Sequence, residues 1–349
     1  MLSPAHGSPS SRTEKELILA TREFAVDDPR RSWWCLLSTC ALFLALTVVA
    51  AVPIAWPIRL AASILIGLTH VRLFILYHDY QHGTILKNSK LASWIMNGYG
   101  IFALNPPSIW KRSHDYHHRN NSKALGAAIG SFPLMSKEAY QQASTWKRFV
   151  YRITRHPMTI GFGYLTIFLI GMCIRPFVCR PREHIDAGIA IALHATLIAV
   201  LLWYAPLAAL LVIVLPNTIA SALGAYLFYA QHNFPSVHIR ERADWSYVDA
   251  ALNSSSYMRM GPVMNWFTGN IGYHHVHHLN AKIPFYRLPE VMQKVPELQA
   301  PGATSFHPYD VIQCFRLKLW DRETGRLVTL GGKCLDPLAI GHEPTQAPH

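Results

Sequence analysis

Charge is scarce in this sequence. Only 15% of its 349 residues are Asp, Glu, Lys or Arg, against 51% hydrophobic. With the apolar residues bunched into long runs, that balance sets aside the two soluble domains that length alone would allow. Cysteine is scarce as well: the six (positions 35, 40, 173, 179, 314 and 334) form no CxxC pair, and two lie inside one apolar run. That pattern excludes a disulfide framework or a zinc–thiolate site. No Gly-rich phosphate loop stands between a strand and a helix, and there is no internal repeat. Nor is there a separate basic domain with stacking aromatics, which argues against nucleic-acid binding. The first 30 residues carry Ser, Pro and mixed charge before any apolar run, so no cleavable signal peptide is expected.

What the chain has in place of charge is long hydrophobic runs. Residues 33–52 are uncharged and twenty long, about 30 Å of helix and one bilayer core. Runs at 57–77, 187–204 and 206–229 follow. The expected fold is therefore an all-α integral membrane protein with four transmembrane helices in two hairpins, interfacial or re-entrant segments and a cytoplasmic helical cap. Residues 1–31 form an N-terminal cytoplasmic tail, in which Thr13 and Glu16 fit a capping box for a short amphipathic helix. Residues 32–335 form the main domain and 336–349 a flexible tail. The net charge of +12 is what basic cytoplasmic loops would produce. It also suits a face that attracts anionic lipid or an acidic electron carrier.

Histidine is where the chain is rich, with 19 residues. "GNIGYHHVHH" (269–278) places His274, His277 and His278 at i, i+3 and i+4, one helical face, with His275 about 100° away. "HDYHH" repeats the pattern with His114, His117 and His118, and "HDYQH" adds His78 and His82 one turn apart. These are too many imidazoles for one ion and suit two. His232, which ends the fourth run within "YAQHNF", is the ninth candidate. Parity gathers them on one side. The loop 83–157 is rich in Lys and Arg and so cytoplasmic. The 187–204 and 206–229 hairpin returns the chain there, provided that 158–174 is re-entrant or interfacial rather than a crossing. Residues 94–104, shorter still, are expected to lie along the surface.

Imidazole suits iron, copper, nickel and zinc, so ligand type leaves the metal open. Closed structural zinc sites usually contain thiolates and fit badly. Two irons with open positions could activate dioxygen toward an unactivated C–H bond, and hydrocarbon chains are the substrates at hand beside a membrane. The Glu-rich sites of soluble di-iron bundles differ, because no Glu lies in any of these clusters. Asp79 and Asp115, adjacent to candidate ligands, could orient imidazoles by hydrogen bonding or merely form surface caps and ion pairs.

The boxes, their order and their context resemble the membrane fatty acid desaturases. "RLFILYHDYQHGTIL", "IWKRSHDYHHRNNSK", "YLFYAQHNF" and the segment 245–290 resemble the acyl-lipid branch, of the delta-12 or omega-6 kind, over about residues 30–330. The resemblance implies two iron ions held by His78, His82, His114, His117, His118, His232, His274, His277 and His278. It implies a double bond inserted into a membrane-lipid acyl chain with O2 and two electrons. The expected location is a bacterial inner membrane, with the site and both termini cytoplasmic. No HPGG-containing cytochrome segment is fused to the chain, so electrons are expected from a separate protein, a ferredoxin. Tyr80 and Gln81 stand where that branch commonly has Cys and Gly, which raises the question of a shifted bond position. Phe228 occupies the place of an Asn that holds a metal-bound water in the acyl-CoA branch. The alternatives are a di-iron hydroxylase or ketolase of another lipid such as a carotenoid, or a membrane metal transporter or sensor. A transporter would place ionisable residues along a mid-membrane path.

The remaining polar outliers have quieter expectations. His70 and His194 lie within spans and are expected to hydrogen-bond between helices rather than line a tunnel. Arg72 is expected to reach the cytoplasmic interface. His156, His238 and His307 are expected at the surface. Trp33, Trp34, Trp56 and Trp203 fit interfacial belts.

Overall fold

A computed structural model describes residues 12–124 and 131–336. The expected C-terminal tail beyond Asp336 therefore lies outside the described residues, as do the first 11 residues. Among those described, four helices are long and apolar enough to cross a membrane: Pro29–Ala51, Trp56–Gln81, Ile185–Tyr204 and Pro206–Ala230. The first and fourth begin on residues suited to starting a helix. Asp28 caps the first span by accepting from the Arg30 and Arg31 N–H groups, and Pro29 and Pro206 occupy opening positions where no N–H is needed. The turn between the first two spans is closed by Arg59, whose Nε donates to the Ala50 carbonyl at 2.9 Å. That bond satisfies a helix-end acceptor that would otherwise be orphaned.

The second and fourth spans form the centre of the bundle. They approach so closely at Gly67 that a Cβ there would lie 2.8 Å from Ile219 Cβ. The apolar helix Tyr164–Cys179 packs beside them and against the third span; its 16 residues reach about 24 Å, short of a full crossing. Residues 164–174 are wound as a π-helix. His82 and His232 belong to two adjoining histidine groups on the same side, so an even number of crossings must separate them. The third and fourth spans supply two, and Tyr164–Cys179 supplies none. Residues 94–104 fall largely within the helix Lys90–Phe102, which buries Ala92 and Met96 and exposes Trp94.

The cap is mostly helical, as expected, but is laced by two small sheets. Met135–Ser136 pairs in parallel with Leu317–Trp320, which pairs antiparallel with Leu327–Thr329. Tyr257–Arg259 pairs in parallel with Ala303–Ser305. The helix Glu14–Ala20 carries the expected Thr13–Glu16 capping box. Asp27 then joins three distant segments: its carboxylate accepts from Ser32 Oγ, from the Leu86 N–H at 2.8 Å and from Tyr286 Oη at 3.2 Å. This ties the N-terminal segment, the loop after the first histidine box and the chain after the third. Trp34, Trp56 and Trp203 are exposed, whereas Trp33 packs partly against the core.

Candidate metal centre

The structure brings all nine candidate histidines together, in two groups. His78, His82, His114, His118 and His277 form one; His117, His232, His274 and His278 form the other. Within each group the ligand atoms all lie within 4.8 Å of one another. The boxes do not map one to a group. Helix Pro107–Asn120 sends His114 and His118, one turn apart, into the first group and His117 into the second. Helix His274–Leu279 divides in the same way. The groups therefore share walls, and the His118 and His278 rings stack at 4.3 Å.

The spacing of the nitrogens tests whether a metal fits. Nε2 atoms of His78 and His114 are 2.9 Å apart, those of His114 and His118 3.1 Å, and those of His118 and His277 3.1 Å. In the second group the pairs His117–His232, His232–His274 and His274–His278 stand at 3.0, 2.9 and 3.1 Å. Two nitrogens about 2.1 Å from one ion are about 3.0 Å apart at a right angle and about 3.4 Å apart at a tetrahedral angle. The observed edges lie near the right-angle separation, so either group could hold an ion of high coordination number. With five and four imidazoles per group, a six-coordinate ion would keep a position open in each.

Protonation is arranged to suit. Burial, then the neighbouring imidazoles, holds His82, His114, His117, His118, His274, His277 and His278 well below the ordinary histidine range. Burial brings His232 down to about 4. The rings are thus neutral, the form that ligates metal. Outer hydrogen bonds fix which nitrogen faces inward. His232 Nδ1 lies 3.0 Å from the Ser254 carbonyl, which can only accept, so the proton sits on Nδ1 and the Nε2 lone pair points into the group. His78 Nδ1 is 2.9 Å from Asp79 Oδ1, and the other Asp79 oxygen accepts from the Phe285 N–H at 2.8 Å. His117 Nδ1 is 2.8 Å from Ser131 Oγ. Ser131 and the Ser254 carbonyl carry no signal in the sequence; only folding brings them to the rings.

Of the two alternatives for Asp115, the structure has the ion pair, with Lys111 at 2.9 Å, because the residue after His114 is turned about 100° away from the ligand face. Other expectations need correction. Arg72 does not reach the interface: it is buried, donates to Thr39 Oγ1 at 3.2 Å and to the Trp266 carbonyl, and lies 4.2 Å above the Trp266 ring. There it fastens the first two spans to the cap. His70 lines a cavity and stacks on Phe102 at 5.9 Å. His194 does bond between helices, to the Tyr164 hydroxyl. His156 and His307 are exposed and cap helices, accepting from the Met158 and Tyr309 N–H groups; His238 is half-buried. His275 stands outside both groups, yet it is fully buried and its Nε2 lies 3.0 Å from the Leu298 carbonyl.

The cavity has a volume of about 390 Å³ and runs between the second span, the fourth span and helix Tyr164–Cys179. His70, Asn217 and Met172 line one part, while His78, His114 and His274, drawn from both groups, line another. Trp110, one turn before His114, stacks on that ring at 4.4 Å and joins the wall. Its spacing from His114 was a usable signal. Phe228 faces the cavity and stands 4.9 Å from the His117 ring. The described lining includes neither Tyr80 nor Gln81. Gln81 instead bonds to Asn97 at 3.1 Å, so the bulk of these two residues does not narrow the cavity.

These features define an integral membrane protein with paired imidazole clusters, able to hold metal, against an apolar cavity. Residues 54–310 match the fatty acid desaturase family, and the chain belongs to it. It is 28% identical over 345 residues to a fatty acid desaturase of Bacillus subtilis, covering 96% of this chain and 94% of that one. It is 25% identical to the sn-1 oleoyl-lipid 12-desaturase of Synechocystis, covering 62% of each chain. It is 26% identical to the chloroplastic sn-2 acyl-lipid omega-3 desaturase (ferredoxin) of Helianthus annuus, over 77% of this chain and 62% of that one. The chain is thus an oxidoreductase of the membrane.

Proposed function

We propose that the protein is an O2-dependent acyl-lipid desaturase with two iron ions, one in each histidine group. In this reading it inserts a double bond of the delta-12 or omega-6 kind into the acyl chain of a membrane lipid. The observation that carries it is the cavity, whose apolar walls end on His78, His114 and His274 and so on both groups. Iron held there would supply the activation of dioxygen needed to take two hydrogens from adjacent methylenes, with two electrons from an external donor. The chain's own residues do the rest. Phe74, Phe168 and Leu227 exclude water and hold the hydrocarbon, while Asp79 and the Ser254 carbonyl keep the His78 and His232 rings turned inward.

The relatives' names support an esterified substrate: one acts on an oleoyl lipid, another on an acyl lipid with ferredoxin. We take a ferredoxin as the donor here. The concentration of Lys and Arg in the loop 83–157 supports a cytoplasmic site at a bacterial inner membrane. Cysteines introduced at Asn120 and Asn280 should then both be labelled from the cytoplasm; labelling from opposite sides would break the shared site.

Expression in a host without polyunsaturated lipids, with a compatible ferredoxin, tests the activity by gas chromatography of its fatty acids. A dienoic product derived from oleoyl lipids is expected. A dienoic product with a different bond position would retain desaturation and reject the delta-12 assignment. Hydroxylated or ketolated carotenoid with unchanged fatty acids would reject desaturation itself.

A further inference from the structure

The helix Thr145–Thr154 turns its greasy side away from the protein. Trp146, Phe149, Val150 and Ile153 recur at i, i+3, i+4 and i+7, within an arc of about 100°. They are 69%, 52%, 43% and 48% exposed, and Trp146 and Phe149 stack at 5.5 Å. The opposite face is the packed one: Tyr151 is buried against Leu319 and Val328 of the small sheet. A helix bathed in water would show the reverse pattern.

Two further observations say what covers this stripe. Next along the chain Met158, Phe162 and Leu165 are exposed as well, and they lead into the helix that packs among the spans. From Thr145 to Arg182 the chain carries seven Lys or Arg and no Asp or Glu. Of these, Lys147 and Arg152 are exposed on the helix itself. Basic loops alone would explain the charge but not the outward stripe. An acidic electron carrier would be attracted by the charge but offers no reason for continuity with the hydrocarbon. The helix also ends at the cavity, since Thr154 is part of its lining.

We propose that Thr145–Thr154 lies in the lipid interface at the cavity's edge and gathers anionic phospholipids there, its apolar stripe among the acyl chains and Lys147 and Arg152 on the headgroup phosphates. The acyl chain of such a lipid then has a short path into the cavity. This rests on the acyl-lipid reading of the site, and it names the class of lipid that reading leaves open. Basic residues at a membrane surface each favour anionic lipid several-fold, so the pair should give a preference of roughly tenfold or more at low salt.

The test uses the full chain in lipid nanodiscs, with dioleoyl phosphatidylglycerol and dioleoyl phosphatidylcholine as probes. Lipids brominated on their acyl chains should quench tryptophan fluorescence, and Trp146→Phe should remove a quenched component. That reading is independent of activity, so it stands or falls separately from desaturation. With equal amounts of the two lipids and a ferredoxin, the dienoic product should appear chiefly in phosphatidylglycerol. K147Q/R152Q should abolish that preference, so that the product divides between the two lipids in proportion to their amounts. No quenched component from Trp146, or equal product in both lipids, would overturn the proposal. So would a double variant that keeps the lipid preference but needs more ferredoxin for saturation, which would make this a protein-docking face.

Discussion

Gly224 offers a direct way to ask whether the cavity holds the substrate chain. It lies on the fourth span and lines the cavity, and a Cβ built there meets no heavy atom within 4 Å. Gly224→Leu therefore adds a branched four-carbon side chain to empty space rather than to a packed interface. The fold should not suffer, because replacing Gly in a helix interior gains about 0.5–1 kcal/mol. The substrate should suffer, because the leucine takes room that methylenes would occupy in a cavity of about 390 Å³. Each methylene that loses its place costs about 1–3 kcal/mol, or roughly 10–200-fold in discrimination. We expect activity on oleoyl chains to fall at least roughly tenfold, the distribution of chain lengths used to move toward shorter ones, and bound metal to stay unchanged. Gly224→Ala, adding only the Cβ, should fall between the two. The assay is the fatty-acid profile of cells expressing each variant at matched protein level, with melting temperature and metal content measured on purified protein. A folded, metal-replete Gly224→Leu with an unaltered chain-length profile would show that acyl chains lie elsewhere.

Further outcomes follow from the centre and the cap. His277→Ala should lower bound metal and abolish activity, whereas His275→Ala should retain metal; its penalty should be on stability, about 1–3 kcal/mol, because the buried Leu298 carbonyl loses its donor. Equal metal loss in both, by elemental analysis, would overturn the ligand assignment. Asp79→Asn should weaken metal binding by roughly 10–100-fold without removing a ligand, as measured by competition with a chelator. Lys318 is brought down to about 7 by burial and then by the Arg155 guanidinium. The unfolded chain, near 10.5, still binds that proton between pH 7 and 10, so wild-type stability gains from this lysine as pH rises across the range. The melting temperature of Lys318→Met relative to wild type should accordingly fall from pH 7 to pH 10, and a rise would contradict the assignment.

The clusters were legible because a helix imposes its period on the sequence. His274, His277 and His278 share a face in the structure as their spacing requires, and His275 points elsewhere. The division of the second and third boxes between two groups was not legible, since it depends on how three helices cross rather than on any one of them. Short strands were invisible for a related reason: Met135–Ser136 and Leu327–Thr329 are too brief to show an alternating pattern. His70 and Arg72 were flagged correctly as unusual within an apolar helix, but a sequence gives depth and not facing. His70 turned out to line the cavity and Arg72 to hold the cap. Tyr80 and Gln81 show the same limit, being near the candidate ligands in number yet absent from the described cavity wall.

The lengths of the spans tie the lipid-facing part of the molecule to its chemistry. The second and fourth spans have 26 and 25 residues, about 39 and 38 Å of helix, and the first and third have 23 and 20. A bilayer core of about 30 Å leaves several ångströms of each long span projecting beyond it. One projection carries His78 and ends on His82 as its C-cap, and the other leads directly to His232. The same two helices touch at Gly67 and wall the cavity with Val71, Phe74, Ser221 and Leu227. Distance along the cavity and distance to the histidines are thus measured on one rigid scale, 1.5 Å per residue. A chain held by contacts on these helices would meet the metals at a fixed carbon, with no moving part needed to choose it. Small changes of wall volume, as at Gly224, would shift that carbon while leaving the ligands in place.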